Sequence, residues 1–256
     1  MLGRAFGCRL GRGRLEVMRI AIVSDIHGNR TAFEAVLADL RHSSPDLILH
    51  GGDLAHGGAS PAEIVDRVRD LGWQGVMGNT DEMLPKPETF SDFARASPQL
   101  KSLWTAIEEM AAATREALGE ERIAWLGRLP RIQDNGLMAL VHASPETAWR
   151  SPAHDASDAD LAATYAPLGR PTVIYGHIHR SFIRQVSGIT VANSGSVSLS
   201  YDGDTRAAYL LLDDSRPSIR RVEYDVSSEV KALYVSGLPH TAWIAKTLET
   251  AIPQMP

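Results

Sequence analysis

Acidic, histidine and asparagine side chains follow the strand-like segments of this sequence one after another. Five motifs carry them: Asp25-Ile26-His27, Gly51-Gly52-Asp53, Gly78-Asn79-Thr80-Asp81, His142 and Gly176-His177-Ile178-His179. Carboxylate oxygens and imidazole nitrogens are common ligands of divalent transition metals. Each motif alone is weak, because a D-x-H triplet is frequent by chance and a histidine at a buried strand end is often only structural. The five motifs in order predict a metal site.

The segments before these motifs alternate between strand and helix patterns. Strands are predicted at 19–24, 46–50 and 73–77, separated by a helical pattern at 30–41 and a helix that begins at Pro61. This β-α-β-α-β order predicts parallel strands with right-handed crossovers. Five consecutive predicted strands each deliver a ligand at their carboxyl ends, where ligands bind in open α/β sheets.

The second half of the chain is predicted to be rich in strands. Residues 98–129 have a helical pattern throughout and are expected to pack beside the sheet or cover its edge. Predicted strands follow at 137–143 and 172–176 and in the segments SFIRQVSG, ITVANSG, AAYLLLDD and SIRRVEYD, before a helical segment at 226–251. Short strands with tight turns indicate an antiparallel or mixed sheet. We expect residues 18–256 to form one domain.

Composition and charge argue against several classes of protein. The net charge of −5 and the pI of about 6.0 lack the basic surplus of a general nucleic-acid binder. The apolar runs fall short of the roughly 20 residues that span a bilayer. The single cysteine, Cys8, fits a cytoplasmic location. Residues 1–17 lack the apolar stretch of a signal peptide and are predicted to be a disordered extension or an over-long start before Met18.

The series of motifs resembles that of the calcineurin-like metallophosphoesterases, and most of all their small bacterial phosphodiesterase-like branch. The family pattern of D-x-H, G-D, G-N-x-[D/E], H and G-H-x-H is matched in order, and the resemblance covers about residues 18–250. The N-x-G-S turn of that branch is present as Asn193-Ser194-Gly195-Ser196. The resemblance implies an α/β fold, a four-layer αββα sandwich of two mixed β-sheets flanked by helices. It also implies hydrolysis of a phosphoester by a hydroxide that bridges two metal ions.

The resemblance further implies a ligand set for each ion. The first ion would be held by Asp25, His27, Asp53 and His179, and the second by Asp53, Asn79, His142 and His177. Because only two of these ligands are carboxylates, two divalent ions would leave a net charge of about +2, which attracts phosphate and lowers the pKa of a bridging water. Mixed nitrogen and oxygen ligands favour Mn²⁺, with Fe, Zn²⁺, Co²⁺ or Ni²⁺ as alternatives, over Mg²⁺ or Ca²⁺.

The third motif departs from the commonest family pattern. Many members have a histidine that assists the leaving group at the position of Thr80, and a threonine hydroxyl is a poor general acid. The difference predicts a preference for phosphodiesters, or for esters with good leaving groups, over alkyl phosphomonoesters. His56 is the candidate replacement acid, and the alternative is a loop histidine or one that orients a ligand. Asp81 either orients neighbouring groups or turns the chain.

Residues outside the ligand set are candidates for substrate binding. Asn29 and Arg30 stand at a predicted helix N-terminus, which favours anions, although Arg30 is equally an ordinary surface residue. For Trp104 and Trp149, core packing is favoured over lining a substrate cleft. The expected substrate is a small phosphoester. The alternatives are a protein phosphatase, a nuclease, which the acidic charge disfavours, and a non-catalytic scaffold, which would typically have lost metal ligands.

Overall fold

Two five-stranded sheets, with helices on their outer faces, make up the computed structural model of residues 18–256. The predicted extension at 1–17 lies outside the described residues. The strands are β1 Arg19–Val23, β2 Leu47–His50, β3 Gln74–Gly75, β4 Ile132–Asp134, β5 Ala139–Val141, β6 Thr172–Tyr175, β7 Phe182–Val186, β8 Ile189–Asn193, β9 Ala207–Asp213 and β10 Arg216–Val222. The helices are α1 Arg30–Ser43, α2 Pro61–Asp70, α3 Asn79–Met83, α4 Pro87–Arg95, α5 Lys101–Leu126, α6 Asp158–Tyr165, α7 Val226–Val235 and α8 Thr241–Thr250.

Both sheets are mixed, as predicted. The first has the order β10-β9-β1-β2-β3, in which β1, β2 and β3 are parallel and β9 and β10 add antiparallel pairs. The second has the order β4-β5-β6-β8-β7, with β5, β6 and β8 parallel and antiparallel strands at both edges. The expectation of five consecutive ligand-bearing strands was wrong. Strand β4 intervenes, and the ligands come from three strands of the first sheet and two of the second.

Three apolar cores separate four layers. On β1, Ile20 and Ile22 face the second sheet and pack in a core that also contains Leu140 and Ile174 of that sheet. The alternate β1 residues belong to a second core, under helices α1, α2 and α5. A third core lies between the second sheet and α6, where Tyr165 packs. This alternation of strand residues between two buried faces produces the αββα sandwich.

The helices position the loops that follow the strands. The predicted helix at 98–129 is confirmed as α5, which is preceded by a 3-10 turn at Pro98–Leu100 and leaves helical geometry at Gly119. Helices α3, α4 and α6 were not predicted, because each has fewer than ten residues and so offers few turns over which a 3.6-residue period can be recognised. No helix within residues 18–256 is long and apolar enough to cross a membrane.

Candidate metal centre

All seven predicted metal ligands meet where the two sheets abut. Ligand atoms of Asp25, His27, Asp53 and His179 all lie within 4.8 Å of one another, and the four residues are buried. His179 Nε2 is 3.2 Å from Asp25 Oδ1, and His27 Nε2 is 3.6 Å from Asp53 Oδ2. These four side chains form a cluster that could hold a metal ion.

The remaining three ligands lie on the other side of Asp53. Asn79 Oδ1 is 3.0 Å from both His142 Nε2 and His177 Nδ1. His142 Nε2 is in turn 3.5 Å from Asp53 Oδ2. The carboxylate of Asp53 therefore lies between the two groups of ligands, within 3.6 Å of a histidine nitrogen from each.

Three of the histidines donate a hydrogen bond to the backbone, and this bond determines which ring nitrogen faces the site. The Nδ1 atoms of His27, His142 and His179 lie 2.7, 2.8 and 2.6 Å from the carbonyl oxygens of His56, Gly51 and Leu199. Because a carbonyl can only accept, each Nδ1 carries the hydrogen and donates it. A neutral imidazole in this tautomer leaves its Nε2 lone pair free, which is the arrangement that orients histidine ligands in metal sites.

The Nε2 atoms of His27 and His179 lie 3.2 Å apart, and this short distance indicates whether the site suits a cation. Both nitrogens carry lone pairs in the tautomer that the carbonyls impose, and two lone pairs at this distance repel each other. A divalent cation that both nitrogens coordinate removes the repulsion. The donor set and its orientation therefore fit a transition metal.

The backbone is strained at most of the ligands. Five of the seven, Asp25, His27, Asp53, His177 and His179, have φ between 48° and 68°, in the left-handed region. Non-glycine residues avoid this region, and such conformations cost about 1–3 kcal/mol each unless the surrounding structure holds them. The strain turns successive side chains at the strand ends toward one point. Clustered strain of this kind is typical of functional sites.

Two glycines allow the backbone to come close to the acidic ligands. A Cβ atom on Gly78 would lie 2.0 Å from Asp53 Oδ1, and one on Gly176 would lie 2.5 Å from Asp25 Oδ2. The space is used by hydrogen bonds, since the Thr80 N–H donates to Asp53 Oδ1 at 2.9 Å. Any larger residue at position 78 or 176 would displace a carboxylate from the cluster.

Charges within the site set the protonation of its ligands. Burial raises the pKa of the Asp25 carboxyl, but the charges of His179, His142 and His27 outweigh burial and keep that pKa below its ordinary value. Burial raises the pKa of Asp53 as well, and His142 and His27 again bring it below the ordinary value. Burial, followed by the charge of His142, lowers the pKa of His177 to about 4. The cluster therefore offers two carboxylates and a neutral His177 near neutral pH.

The geometry and the sequence both match known proteins. The family model of the calcineurin-like phosphoesterase superfamily domain matches residues 18–216. The chain belongs to this superfamily. It is a metallophosphoesterase, an enzyme of a metal-dependent family, and its buried Asp and His residues form a cluster that could bind a metal ion.

Relatives extend the similarity beyond the family domain. The protein MJ0912 of Methanocaldococcus jannaschii is 28% identical over 252 residues, which cover 90% of this chain and 96% of that protein. The crystal structure of a metallophosphoesterase from Sphaerobacter thermophilus is 25% identical, with a TM-score of 0.73, and covers 92% of this chain and 100% of its own. The hypothetical protein PH1004 from Pyrococcus horikoshii OT3 shares the fold, with a TM-score of 0.78 at 16% identity over 92% of this chain and 99% of its own.

The candidate catalytic residues of the metallophosphoesterase other than its metal ligands lie at different positions around those ligands. Thr80 and His56 line the cavity beside the ligands, and Asp81 is fully buried behind them. The carboxylate of Asp81 accepts backbone N–H groups from Asp53, Leu54 and Gly78. This contact favours an orienting role for Asp81 over direct contact with the substrate.

His56 is poorly suited to donate a proton. Its side chain is buried, and within residues 18–256 its Nδ1 atom has no hydrogen-bond partner. Burial, reinforced by the charge of His27, lowers the pKa of His56 to about 3. The imidazole is therefore neutral near pH 7, which favours the alternative in which His56 orients a ligand. Its backbone carbonyl does so, because it accepts from His27 Nδ1.

The structure does not bring Asn29 and Arg30 to the cavity. Asn29 is buried as the N-cap of α1, where its Oδ1 accepts from the Ala32 N–H at 2.8 Å and its Nδ2 donates to Ser198 Oγ at 3.2 Å. Arg30 is exposed. At this helix N-terminus the Thr31 N–H donates to Glu229 Oε2 at 3.2 Å, and neither Asn29 nor Arg30 lines the cavity, so a substrate contact by these two residues stays a prediction.

The N-x-G-S turn braces the second-sheet ligands. Asn193 donates from Nδ2 to the carbonyl of Gly176, directly before His177. Ser196 donates from Oγ to the carbonyl of Asp25 at 2.9 Å, and so connects the turn to the first sheet. The turn therefore fixes both sides of the cluster relative to each other.

A cavity of about 190 Å³ opens from the metal ligands, and most of its aromatic lining was not predicted from the sequence. Four lining residues whose rings contact one another are called the aromatic wall: Phe90, Phe93, Trp104 and Trp149. Trp104 and Trp149 pack against the core under the helices, as favoured, and both also line the cavity. The missed signal is the pair Phe90 and Phe93, which stands between the third and fourth ligand motifs.

Proposed function

We propose that this metallophosphoesterase hydrolyses a small phosphoester at a centre of two divalent transition-metal ions, with Mn²⁺ favoured. The observation that carries the proposal is the position of Asp53, whose Oδ2 lies 3.6 Å from His27 Nε2 and 3.5 Å from His142 Nε2. One carboxylate thus lies between the two groups of ligands. When bound, the two ions would lower the pKa of water and neutralise charge on the phosphate.

The residues of the chain set the charge that a phosphate would meet. Asp25 and Asp53 are the two carboxylates of the ligand set, and imidazoles and the Asn79 amide, which would be uncharged as metal ligands, complete it. Two divalent ions would keep a net charge of about +2 in this set, which favours an anionic ester. Asp53, Asn79 and His177 also line the cavity, so the ester has direct access to the ligands.

The residues near Thr80 favour diesters, or other esters whose leaving group needs no proton. Thr80 lines the cavity, and its buried Oγ1 atom has no partner among residues 18–256. A hydroxyl there can donate a hydrogen bond but is a poor acid, and the neutral imidazole of His56 supplies no replacement. The Thr80 N–H meanwhile holds Asp53 Oδ1. Phosphodiesterase activity is therefore proposed over phosphomonoesterase activity.

The observations disfavour the other functions considered. A non-catalytic scaffold would not need seven aligned ligands, five of which have a strained backbone. A protein phosphatase must admit an extended peptide. The cavity here has a volume of about 190 Å³, below the roughly 300–1,000 Å³ that is usual for small-molecule sites.

The test compares hydrolysis of bis(p-nitrophenyl) phosphate and p-nitrophenyl phosphate by chelator-treated protein, with and without Mn²⁺. We expect Mn²⁺-dependent turnover that is greater for the diester, and at least about a hundredfold loss in Asp53→Asn. Asp92→Asn, at an exposed carboxylate that pairs with Arg95, is the control and should behave as the wild type. Turnover that survives Asp53→Asn would refute the two-metal mechanism, and faster monoester turnover would refute the preference for diesters.

A further inference from the structure

The lining of the metallophosphoesterase cavity has two chemically different parts. Asp53, Asn79, His177 and other metal ligands form one part, and the aromatic wall forms another. Residues beside the wall, such as Met83 and Ile107, are apolar as well. A phosphoester that places its phosphate at the ligands must therefore place its organic group against hydrocarbon.

The wall presents rings and no free indole donors. Phe93 and Trp149 have ring centroids 5.1 Å apart, and Phe93 and Trp104 meet edge to face at 5.7 Å. Both indole N–H groups of the wall are engaged by protein acceptors: Trp104 by the Ser97 carbonyl at 2.7 Å and Trp149 by Glu82 Oε2 at 2.8 Å. Ring faces and edges are what remains for a ligand, and they favour a flat aromatic partner.

Among residues 18–256, no lysine or arginine lines the cavity. Of two arginines nearby, Arg131 pairs with Glu82 at 2.6 Å, and the exposed Arg150 has its guanidinium 5.9 Å from the centroid of the Phe93 ring, outside the lining. A second anion on the organic group would be desolvated at the wall without a partner, which is unfavourable.

We propose that the substrate is a phosphoester whose organic group is a compact, uncharged aromatic ring system, bound by the aromatic wall. The proposal rests on the proposed function, which places the phosphate at Asp53. The cavity volume of about 190 Å³ limits this group to one small ring system. In a diester, the second organic group extends toward solvent.

The test measures binding of non-hydrolysable phosphonates to the full, Mn²⁺-loaded protein by calorimetry. We expect benzylphosphonate to bind at least about tenfold more tightly than methylphosphonate, because the ring buries apolar surface on the wall. Cyclohexylmethylphosphonate, of similar size without an aromatic face, and 4-carboxybenzylphosphonate, with a second anion, should each bind several-fold more weakly than benzylphosphonate. Equal affinities of the benzyl and cyclohexylmethyl probes would overturn the aromatic preference.

Variants distinguish the contribution of the aromatic wall to binding from that of the metal centre. Phe93→Ala, on the partly exposed helix α4, should remove most of the benzyl advantage and leave methylphosphonate affinity unchanged. Phe182→Ala, at a similarly half-buried ring outside the cavity, is the matched control and should keep the advantage. If methylphosphonate binds and the benzyl advantage is absent or survives in Phe93→Ala, the wall proposal is wrong and the proposed function stands. If methylphosphonate fails to bind the Mn²⁺-loaded protein, the phosphate site, and with it the proposed function, is wrong.

Discussion

Asp81 holds the loop of Asp53 through its side-chain carboxylate, which accepts the Asp53 backbone N–H at 2.8 Å. The same carboxylate accepts the N–H groups of Leu54 at 3.0 Å and Gly78 at 3.0 Å. One buried side chain thereby ties the second and third motifs together. Asp53 is held in its left-handed conformation, with φ of 55°, by this contact and by its neighbours.

Replacing Asp81 with asparagine should weaken metal binding without removing any ligand. The amide supplies one acceptor oxygen, and its NH₂ group would face a backbone N–H, so at least one of the three hydrogen bonds is lost. Loss of such a supporting contact typically costs about 10–100-fold in metal affinity or activity. Titration calorimetry with Mn²⁺ measures the effect, and Asp92→Asn is the control. Wild-type affinity in Asp81→Asn would show that the contact does not orient the site.

Metal binding should stabilise the fold through the facing His27 and His179 nitrogens. A metal at 100 times its Kd stabilises the folded state by about 2.7 kcal/mol. For a chain of this size, that corresponds to a rise of roughly 5–10 °C in Tm. Thermal denaturation of chelator-treated protein with and without Mn²⁺ measures this shift. His179→Ala should lose most of it, whereas His154→Ala, at a half-exposed histidine remote from the ligands, should retain it. A full shift in His179→Ala would argue against this ligand.

A histidine at position 80 should broaden the substrate range toward monoesters with poor leaving groups. The backbone N–H of Thr80 holds Asp53 and is unaffected by the substitution, while the side chain borders the cavity. A positioned general acid typically contributes about 10²–10⁴-fold. We therefore expect Thr80→His to raise kcat/KM for phenyl phosphate more than for p-nitrophenyl phosphate, whose leaving group needs no proton. Thr80→Val is the matched control, and a large loss of diester activity in it would mean that the hydroxyl itself takes part.

Stability should fall with acidification partly because of His50. This residue is fully buried in β2, and burial lowers its pKa to about 3 from an ordinary 6.5. The unfolded chain binds the proton below about pH 6.5 and the folded chain only below about pH 3, so this contribution to stability is complete above pH 6.5 and falls as the pH decreases between these values. The slope is about 1.4 kcal/mol per pH unit in the middle of this window.

Urea denaturation at pH 7.5, 5.5 and 4.5 measures this dependence. His50→Leu removes the titrating group. Between pH 5.5 and 4.5 its free energy of unfolding should therefore decrease by about 1 kcal/mol or more less than that of the wild type. His42→Leu, at an exposed position, should keep the wild-type slope. Identical slopes in His50→Leu and the wild type would show that His50 does not resist protonation in the fold.

The identity and order of the ligands could be read from the sequence because each stands at the end of an apolar strand segment. Asp25 follows β1, His142 follows β5 and His177 follows β6, so strand patterns alone placed them at ligand-binding edges. The same patterns predicted parallel strands in the first half and an antiparallel or mixed sheet in the second, because turns and apolar runs are local features, whereas two mixed sheets were implied by the family resemblance. Strand β4, with three residues, and the short helices α3, α4 and α6 were too short to be recognised.

Tertiary structure decided how the ligands are oriented and what surrounds them. The hydrogen bond that fixes the tautomer of His142 joins it to Gly51, 91 residues away, and the Asp81 contact spans 28 residues to Asp53. The aromatic wall likewise brings Phe93 of α4 against Trp149 of a later loop. The sequence by itself determined which ligands are available, because residue type and strand position are local. Only the fold determined which lone pairs converge and which rings border them, because those depend on contacts between residues distant in the chain.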